Sequence, residues 1–153
     1  MNEINAQHLS GLAQEPRWQT ALLDALPANI ALLDAEGVIL AVNRAWRRFA
    51  RDNGLRHADH GVGLNYLDVC DQALGADAAL ARSVAAGLRA VLVGERSDYA
   101  VEYPCDSPTE ERRFLLSATA LERGRRAGAV VMHVNVSERA RAAIDATTSS
   151  SFA

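Results

Sequence analysis

Hydrophobic positions at the start of the chain follow a helical period and then give way to short apolar runs. Pro16 suits the first turn of a helix, and Pro27 ends the helix that follows it. The apolar residues between the two prolines share one helical face: Trp18, Leu22, Ala25 and Leu26. The helical pattern before Pro16 is weak. The sequence therefore predicts a helix of about ten residues with an apolar stripe, preceded by a helical extension.

Two apolar runs then flank a polar turn. Residues 30–33 and 38–42 are apolar, and the four residues 34–37 between them include a glycine. This arrangement predicts a β-hairpin. Asn43 follows the second run and is a favourable N-cap for a helix over 44–52.

Helical signals fill the middle of the chain. Residues 55–64 are loop-like, and residues 67–74 suffice for one or two helical turns. A longer helix is predicted over 76–93, closed by Gly94, because apolar residues recur there at every fourth position: Leu80, Val84, Leu88 and Leu92.

Three further strands complete the pattern, at 99–103, 114–121 and 129–136. The last is apolar on both parities apart from His133 and Asn135, which predicts a central strand covered on both faces. Ser137 begins a final helix, and the small polar tail is predicted to be frayed or a linker. The element order favours an α+β fold, a five-stranded antiparallel sheet with helices on one face and terminal helices left to cover the other.

Composition narrows the function classes. The 153 residues suit one domain, and 49% hydrophobic with 23% charged residues is typical of a globular protein. All 16 basic residues are arginine, but the net charge of −3 argues against nucleic acid as a partner. Neither a signal peptide nor a run of about 20 apolar residues occurs, so a cytoplasmic protein without a membrane partner is expected.

Reactive motifs are scarce. Cys70 and Cys105 lack metal-ligand spacing and are interpreted as reduced thiols. Redox sensing by these thiols is the less favoured alternative, because nearby carboxylates would raise a thiol pKa: those of Asp68, Asp71 and Asp106. The sequence contains no nucleophile elbow, phosphate-binding glycine loop or H-E-x-x-H motif, so neither an enzyme nor a metal site is expected.

Several local motifs resemble those of the PAS domain family, in the family's order. They are LLDAEGVILAVNRAWRRFA, with its N-x-A-[FW] pattern at Asn43, then GLNYLDVCDQA, GLRAVLVGE, EYPCDSPTEERRF and GAVVMHVNVSERARA. The family's D-I-T-E-R ending reads Asn135-Val136-Ser137-Glu138-Arg139 here. The resemblance covers roughly residues 19–143. It implies an extension at 1–18, a PAS domain at 19–137 and the start of a signalling helix and linker at 138–153.

The resemblance also implies a ligand cavity between the sheet and the long helix. His133 matches a cavity-facing position two residues before the family's aspartate, although a core histidine bonded to backbone or to a neighbouring hydroxyl is the competing interpretation. The candidate residues lining the cavity are Leu33, Tyr66, Val84, Leu88, Phe114, Leu116 and His133.

No cofactor is identified by the resemblance, and it stays unknown. Haem-binding members place their histidine on or near the long helix, which has none here, and His57 and His60 lie in the preceding loop. The light-sensing flavin branch carries G-x-N-C-R-F-L-Q. Gly63 and Asn65 match that motif, but Tyr66 replaces its photoreactive cysteine.

The function implied is a sensory or regulatory module that binds a small ligand and signals through its C-terminal helix to an output domain such as a histidine kinase or diguanylate cyclase. The alternative is a ligand-free PAS module used for homodimerisation. A helix of about ten residues is marginal alone, so the apolar stripe must pack on its own sheet or on a second copy. A homodimer through Trp18, Leu22 and Leu26 is expected.

Overall fold

A computed structural model describes residues 16–52, 57–122 and 126–150 of the chain. The predicted extension before Pro16 and the last three residues lie outside the described part. The helices are α1 (Pro16–Ala25), α2 (Arg44–Asp52), α3 (Tyr66–Asp71), α4 (Ala78–Val93) and α5 (Ser137–Ser150), with 3-10 turns at Ala58–Gly61 and Gly75–Asp77. The strands are β1 (Asn29–Leu33), β2 (Ile39–Val42), β3 (Asp98–Pro104), β4 (Arg113–Glu122) and β5 (Arg126–Asn135).

The five strands form one antiparallel sheet in the order β2-β1-β5-β4-β3. The predicted hairpin and the central position of the last strand are therefore confirmed. In the centre of the sheet, His133 on β5 pairs with Asn29 on β1 and with Leu116 on β4. Tyr103 on β3 pairs with Phe114 on β4.

The core lies between one face of the sheet and α4. Side chains of alternating strand positions meet the helix there, and Leu33, Leu88 and Val91 are fully buried. Gly87 sits where α4 crosses β3, because a Cβ at that position would lie 2.3 Å from the Tyr99 ring. The close helix–strand contact therefore depends on the missing side chain.

Asn43 joins three elements at the entrance to the sheet and is only 1% exposed. Its Oδ1 accepts hydrogen bonds from the backbone N–H of Trp46 and of Ile30, both at 3.0 Å, so it caps α2 as predicted. Its Nδ2 donates to the carbonyls of Leu23, at 2.9 Å, and Ala28, at 2.8 Å. The carboxylate of Asp24 adds an ion pair to Arg47 on α2, at 3.2 Å.

The structure differs from one expectation about the ends of the chain, since α5 continues through Thr147 to Ser150 where the sequence predicts a frayed tail or a linker. Among the described residues, α1 is held against α2 by Asn43 and Asp24, and the main contact of α5 with the sheet is to β4. On the outer face of the sheet Ile30 is buried, whereas several other apolar residues are only partly buried: Leu32, Leu115, Val130, Met132 and Val134.

Candidate functional site

A cleft of about 420 Å³ opens between α3, the first turns of α4 and one end of the sheet. This volume lies within the range of small-molecule pockets. Its walls are formed by Tyr66, Cys70, Asp77, Leu80, Ala81, Val84, Tyr103, Pro104, Cys105, Asp106, Leu116 and His133.

Helix capping sets the position of Tyr66. Asn65 precedes α3, and its side-chain oxygen accepts hydrogen bonds from the backbone N–H of Leu67, at 2.9 Å, and of Asp68, at 3.4 Å. Its amide donates to the carbonyl of Glu36, at 2.9 Å, which ties the helix to the β1–β2 turn. Tyr66, the first residue of α3, is thereby directed toward β5.

His133 is held between two tyrosine hydroxyls. A hydrogen bond of 3.2 Å joins its Nε2 to Tyr66 Oη, and one of 2.6 Å joins its Nδ1 to Tyr103 Oη. The Trp46 ring meets the imidazole edge-on, with ring centres 5.7 Å apart. We call Tyr66, His133 and Tyr103 the triad. His133 is thus bonded to neighbouring hydroxyls and also lines the cleft.

The triad is uncharged at neutral pH. Burial lowers the pKa of His133 to about 4, so its imidazole is neutral. Burial also raises the pKa of Tyr66 and that of Tyr103 well above their ordinary value, with smaller contributions from the neighbouring thiols. Both hydroxyls therefore keep their protons.

Counting protons shows what the triad offers to a ligand. A neutral imidazole has one N–H and one bare nitrogen, and each tyrosine contributes one O–H. Of these three donor protons, the two hydrogen bonds of the triad use two. One tyrosine must therefore accept from the imidazole N–H, which leaves its own O–H available to a molecule in the cleft.

Both cysteines line the same cleft and are free thiols. Burial, followed by the Asp71 carboxylate, raises the pKa of Cys70 to about 11, against a smaller opposing effect of Arg89. The Cys70 thiol is thus protonated at neutral pH and a poor nucleophile, as the neighbouring carboxylates predicted. Within the described residues, no three His, Cys, Asp or Glu side chains are grouped to hold a metal ion.

The structure brings together four of the seven residues expected to line the cavity: Tyr66, Val84, Leu116 and His133. Leu33 and Leu88 lie outside the cleft walls, in the core between sheet and α4. Phe114 is also outside it, packed between Phe49 and Tyr103. The reason is that alternation along a strand determines which face of the sheet a side chain lies on, but does not determine how far it is from the cleft.

Tyr103 was missed as a cleft residue. Its strand alternates, with Tyr99, Val101 and Tyr103 on one parity, and that parity faces the core. The same alternation could have placed the Tyr103 side chain on the face of the sheet where the cavity lies, the face to which His133 also belongs. Its bond to His133 bridges β3 and β5 across β4, and local sequence carries no signal for such a contact.

A groove of about 370 Å³ lies on the other side of the segment 104–106, beneath α5. Ser137 Oγ accepts a hydrogen bond from the backbone N–H of Arg113, at 3.0 Å, and donates to Asn135 Oδ1, at 2.6 Å. Arg141 pairs with Glu110 of the β3–β4 loop, at 3.2 Å. Pro104 and Asp106 line both the groove and the cleft, so one segment of backbone separates the two.

Among the described helices, none combines the length and the apolar character needed to cross a bilayer.

Comparison with known proteins gives the family and the fold. A family model described as the PAS fold matches residues 23–141. A curated protein of Rhodobacter capsulatus, an uncharacterized 104.1 kDa protein in the hypE 3' region, is 44% identical over 118 residues. The match covers 76% of this chain and 12% of that protein, so this chain corresponds to about an eighth of its relative.

Solved structures agree with the fold. The PAS domain of Bordetella pertussis BvgS is 20% identical with a TM-score of 0.58, covering 90% of this chain and 97% of that one. The phage VqmA–DPO complex is 20% identical with a TM-score of 0.59, covering 96% and 62%. The sensor region of a sensor histidine kinase is 22% identical with a TM-score of 0.54, covering 72% and 40%. Together with the family match, the five-stranded sheet and its helices show that this chain belongs to the PAS family.

Proposed function

We propose that this chain is a cytoplasmic sensory module that binds a small molecule in the cleft and passes its occupancy through α5 to an output domain. PAS domains are generally signal-sensing, non-catalytic modules. The observation that supports ligand binding here is the neutral triad lining a cleft of about 420 Å³. A histidine kinase or diguanylate cyclase is the proposed output, consistent with the much longer Rhodobacter relative.

The same proposal keeps the domain limits of the sequence analysis. Residues 19–137 form the sensory domain, close to the matched range of 23–141. Residues 1–18 are an N-terminal extension, and residues 138–153 begin the signalling helix and linker.

The segment 104–106 supports a route from cleft to α5. A ligand that displaces this shared wall also displaces the β3–β4 loop, because the backbone N–H of Arg112 donates to Asp106 Oδ1 at 3.0 Å. Glu110 of that loop holds Arg141 of α5. Beyond Ser137, the side chains of α5 that the structure describes are exposed. Movement of the loop would therefore change the direction of the helix.

Filling the cleft with a protein side chain tests this route without knowledge of the ligand. We expect Ala81→Phe, in the cleft wall, to shift the backbone amide resonances of residues 109–112, which lie beyond the wall, and of Ser137. Ala86→Phe, on the exposed side of the same helix, is the matched control and should leave them in place. Two-dimensional ¹H–¹⁵N NMR spectra measure both. Shifts confined to α4 and the cleft wall would show that the cleft is not coupled to α5.

A homodimer is the second part of the proposal. The stripe on α1 stays uncovered, with Trp18 44%, Leu22 62% and Leu26 47% exposed. Clustered apolar side chains of this size favour contact with another surface. The same stripe is the observation that favours the alternative function, a ligand-free module used only for homodimerisation. That alternative requires the Ala81→Phe change to have no effect on α5.

Introducing a charge into the apolar stripe tests the dimer. We expect Leu22→Asp to weaken the dimer at least about tenfold, because it places a carboxylate in an apolar contact. Light scattering over a concentration series gives the dissociation constant. Leu74→Asp is the control, since Leu74 is 89% exposed and lies away from α1. Wild-type protein that is monomeric at about 100 μM would contradict the dimer. A dissociation constant above that concentration corresponds to a binding free energy weaker than about 5.5 kcal/mol.

Nucleic acid is still not expected as a partner. VqmA appears among the structural relatives in a ligand–DNA complex, but its likeness to this chain is one of fold. Among the residues that the structure describes, four arginines form ion pairs with carboxylates, which reduces the positive charge they offer to phosphates: Arg47, Arg89, Arg113 and Arg141.

A further inference from the structure

We infer that the molecule recognised in the cleft is uncharged and presents one hydrogen-bond acceptor, such as a carbonyl oxygen or an aromatic ring nitrogen, to the triad, and that carboxylates and other anions are excluded. This inference rests on the proposed function, since it concerns the same cleft. It follows from the number of donor protons in the triad, the charges around the cleft and the composition of the cleft walls.

The triad favours an acceptor. One tyrosine hydroxyl proton is left over after the internal hydrogen bonds, and a buried donor without a partner is unfavourable. An apolar molecule in the cleft would cover that donor and leave it unsatisfied. A molecule with an acceptor at this position satisfies it and is therefore preferred.

Charge excludes anions. Among the described residues that line the cleft, the only charged side chains are Asp77 and Asp106, both exposed near its edge. Two nearby arginines already have partners. Arg89 pairs with Asp71, and Arg112, whose charge opposes the rise in the pKa of Tyr103, has its guanidinium over the Phe114 ring and its Nε donating to the Cys105 carbonyl. An anionic ligand would lose its hydration without a cationic side chain in the described walls of the cleft to replace it.

The rest of the wall suits an apolar body. Leu80, Ala81, Val84 and Leu116 line the cleft with carbon atoms, and the tyrosine rings add aromatic surface. A ring or short hydrocarbon skeleton would therefore pack there, while its acceptor reaches the triad. This combination, with a single polar contact at the inner end, is the usual composition of a small-molecule site.

Three probes of nearly the same shape separate these contributions: benzamide, benzoate and toluene. Each is titrated into the ¹⁵N-labelled full chain at neutral pH, and cleft binding is identified by its loss in Ala81→Phe and its retention in Ala86→Phe. We expect benzamide to bind at least about tenfold more tightly than benzoate or toluene, corresponding to one hydrogen bond or one avoided charge burial.

Removal of the donor protons provides the second arm. The triple variant Tyr66→Phe/Tyr103→Phe/His133→Leu removes all three and should weaken benzamide about tenfold and leave toluene binding unchanged or tighter. The double variant Tyr66→Phe/Tyr103→Phe keeps the imidazole N–H of His133, so it should retain part of the preference for benzamide. Tyr99→Phe is the matched control, because Tyr99 lies on β3 but bonds to Ser83 outside the cleft, at 3.2 Å.

The outcomes distinguish this inference from the proposed function. Benzoate binding in the cleft as tightly as benzamide, or benzamide binding that survives loss of all three donor protons, would overturn the ligand class and leave a ligand-binding module. Failure of all three probes to bind in the cleft at millimolar concentration would count against both.

Discussion

Replacing Asn43 by aspartate is expected to destabilise the domain by about 3–5 kcal/mol. Aspartate retains the oxygen that accepts from the N–H groups of Trp46 and Ile30. It loses the amide that donates to Leu23 and Ala28, so two carbonyls lose a partner. It also places a carboxylate beside those carbonyl oxygens at a position that is 1% exposed. An uncompensated buried charge is among the most destabilising of single changes.

Asn65→Asp is the matched control for this prediction. Asn65 caps α3 in the same way, but its amide donates at the surface, to the carbonyl of Glu36. We expect a loss below about 1 kcal/mol there, since water replaces the amide. Urea unfolding of both variants measures the free energies. Equal losses at the two positions would show that Asn43 acts only as a helix cap.

Replacing Phe114 by alanine is expected to cost about 3–5 kcal/mol. The ring is 5% exposed and lies between the rings of Phe49 and Tyr103, with each pair of ring centres 5.9 Å apart. Alanine would leave a cavity. The hydrogen-bonded backbones of β3 and β4 cannot move inward to fill it. Because Phe114 is outside the cleft, addition of benzamide should not restore the lost stability.

Leu121→Ala is the matched control, a truncation to alanine at another position of the same strand. Leu121 is on the same strand as Phe114 but is 36% exposed, so its truncation should cost under about 1 kcal/mol. Thermal and urea unfolding give both values. A small loss for Phe114→Ala, or its rescue by a ligand in the cleft, would mean that Phe114 belongs to the ligand site after all.

Local signals predicted the elements well. The hairpin at 30–42, the cap at Asn43 and the four-residue repeat of α4 each depend on neighbours in sequence, and each is confirmed. Contacts at long range were not predictable in this way. The bonds from Asn43 back to α1 are an example, because Leu23 is twenty residues away and its carbonyl carries no sequence signal.

The candidate site was predictable only in part, because local signals identify single residues but not their contacts at long range. His133 could be identified because a polar residue interrupts an apolar strand, and Tyr66 because it stands at the position of the photoreactive cysteine in the motif of the flavin branch. Strand parity placed Phe114 and Leu33 on the inner face correctly, but it could not say that Leu33 packs in the core beneath α4 and Phe114 between Phe49 and Tyr103. Tyr103 needed knowledge that β3 and β5 lie on either side of β4.

The pairing of β1 with β5 has a consequence for how the chain folds during synthesis. Asn29 lies beside His133, so the first strand acquires its central partner only when nearly all of the domain has left the ribosome. Until then the β1–β2 hairpin presents an unpaired apolar edge, and closing so long a loop is entropically slow. The domain is therefore expected to fold only after β5 has left the ribosome, with a period in which the nascent hairpin is exposed to chaperones or to aggregation.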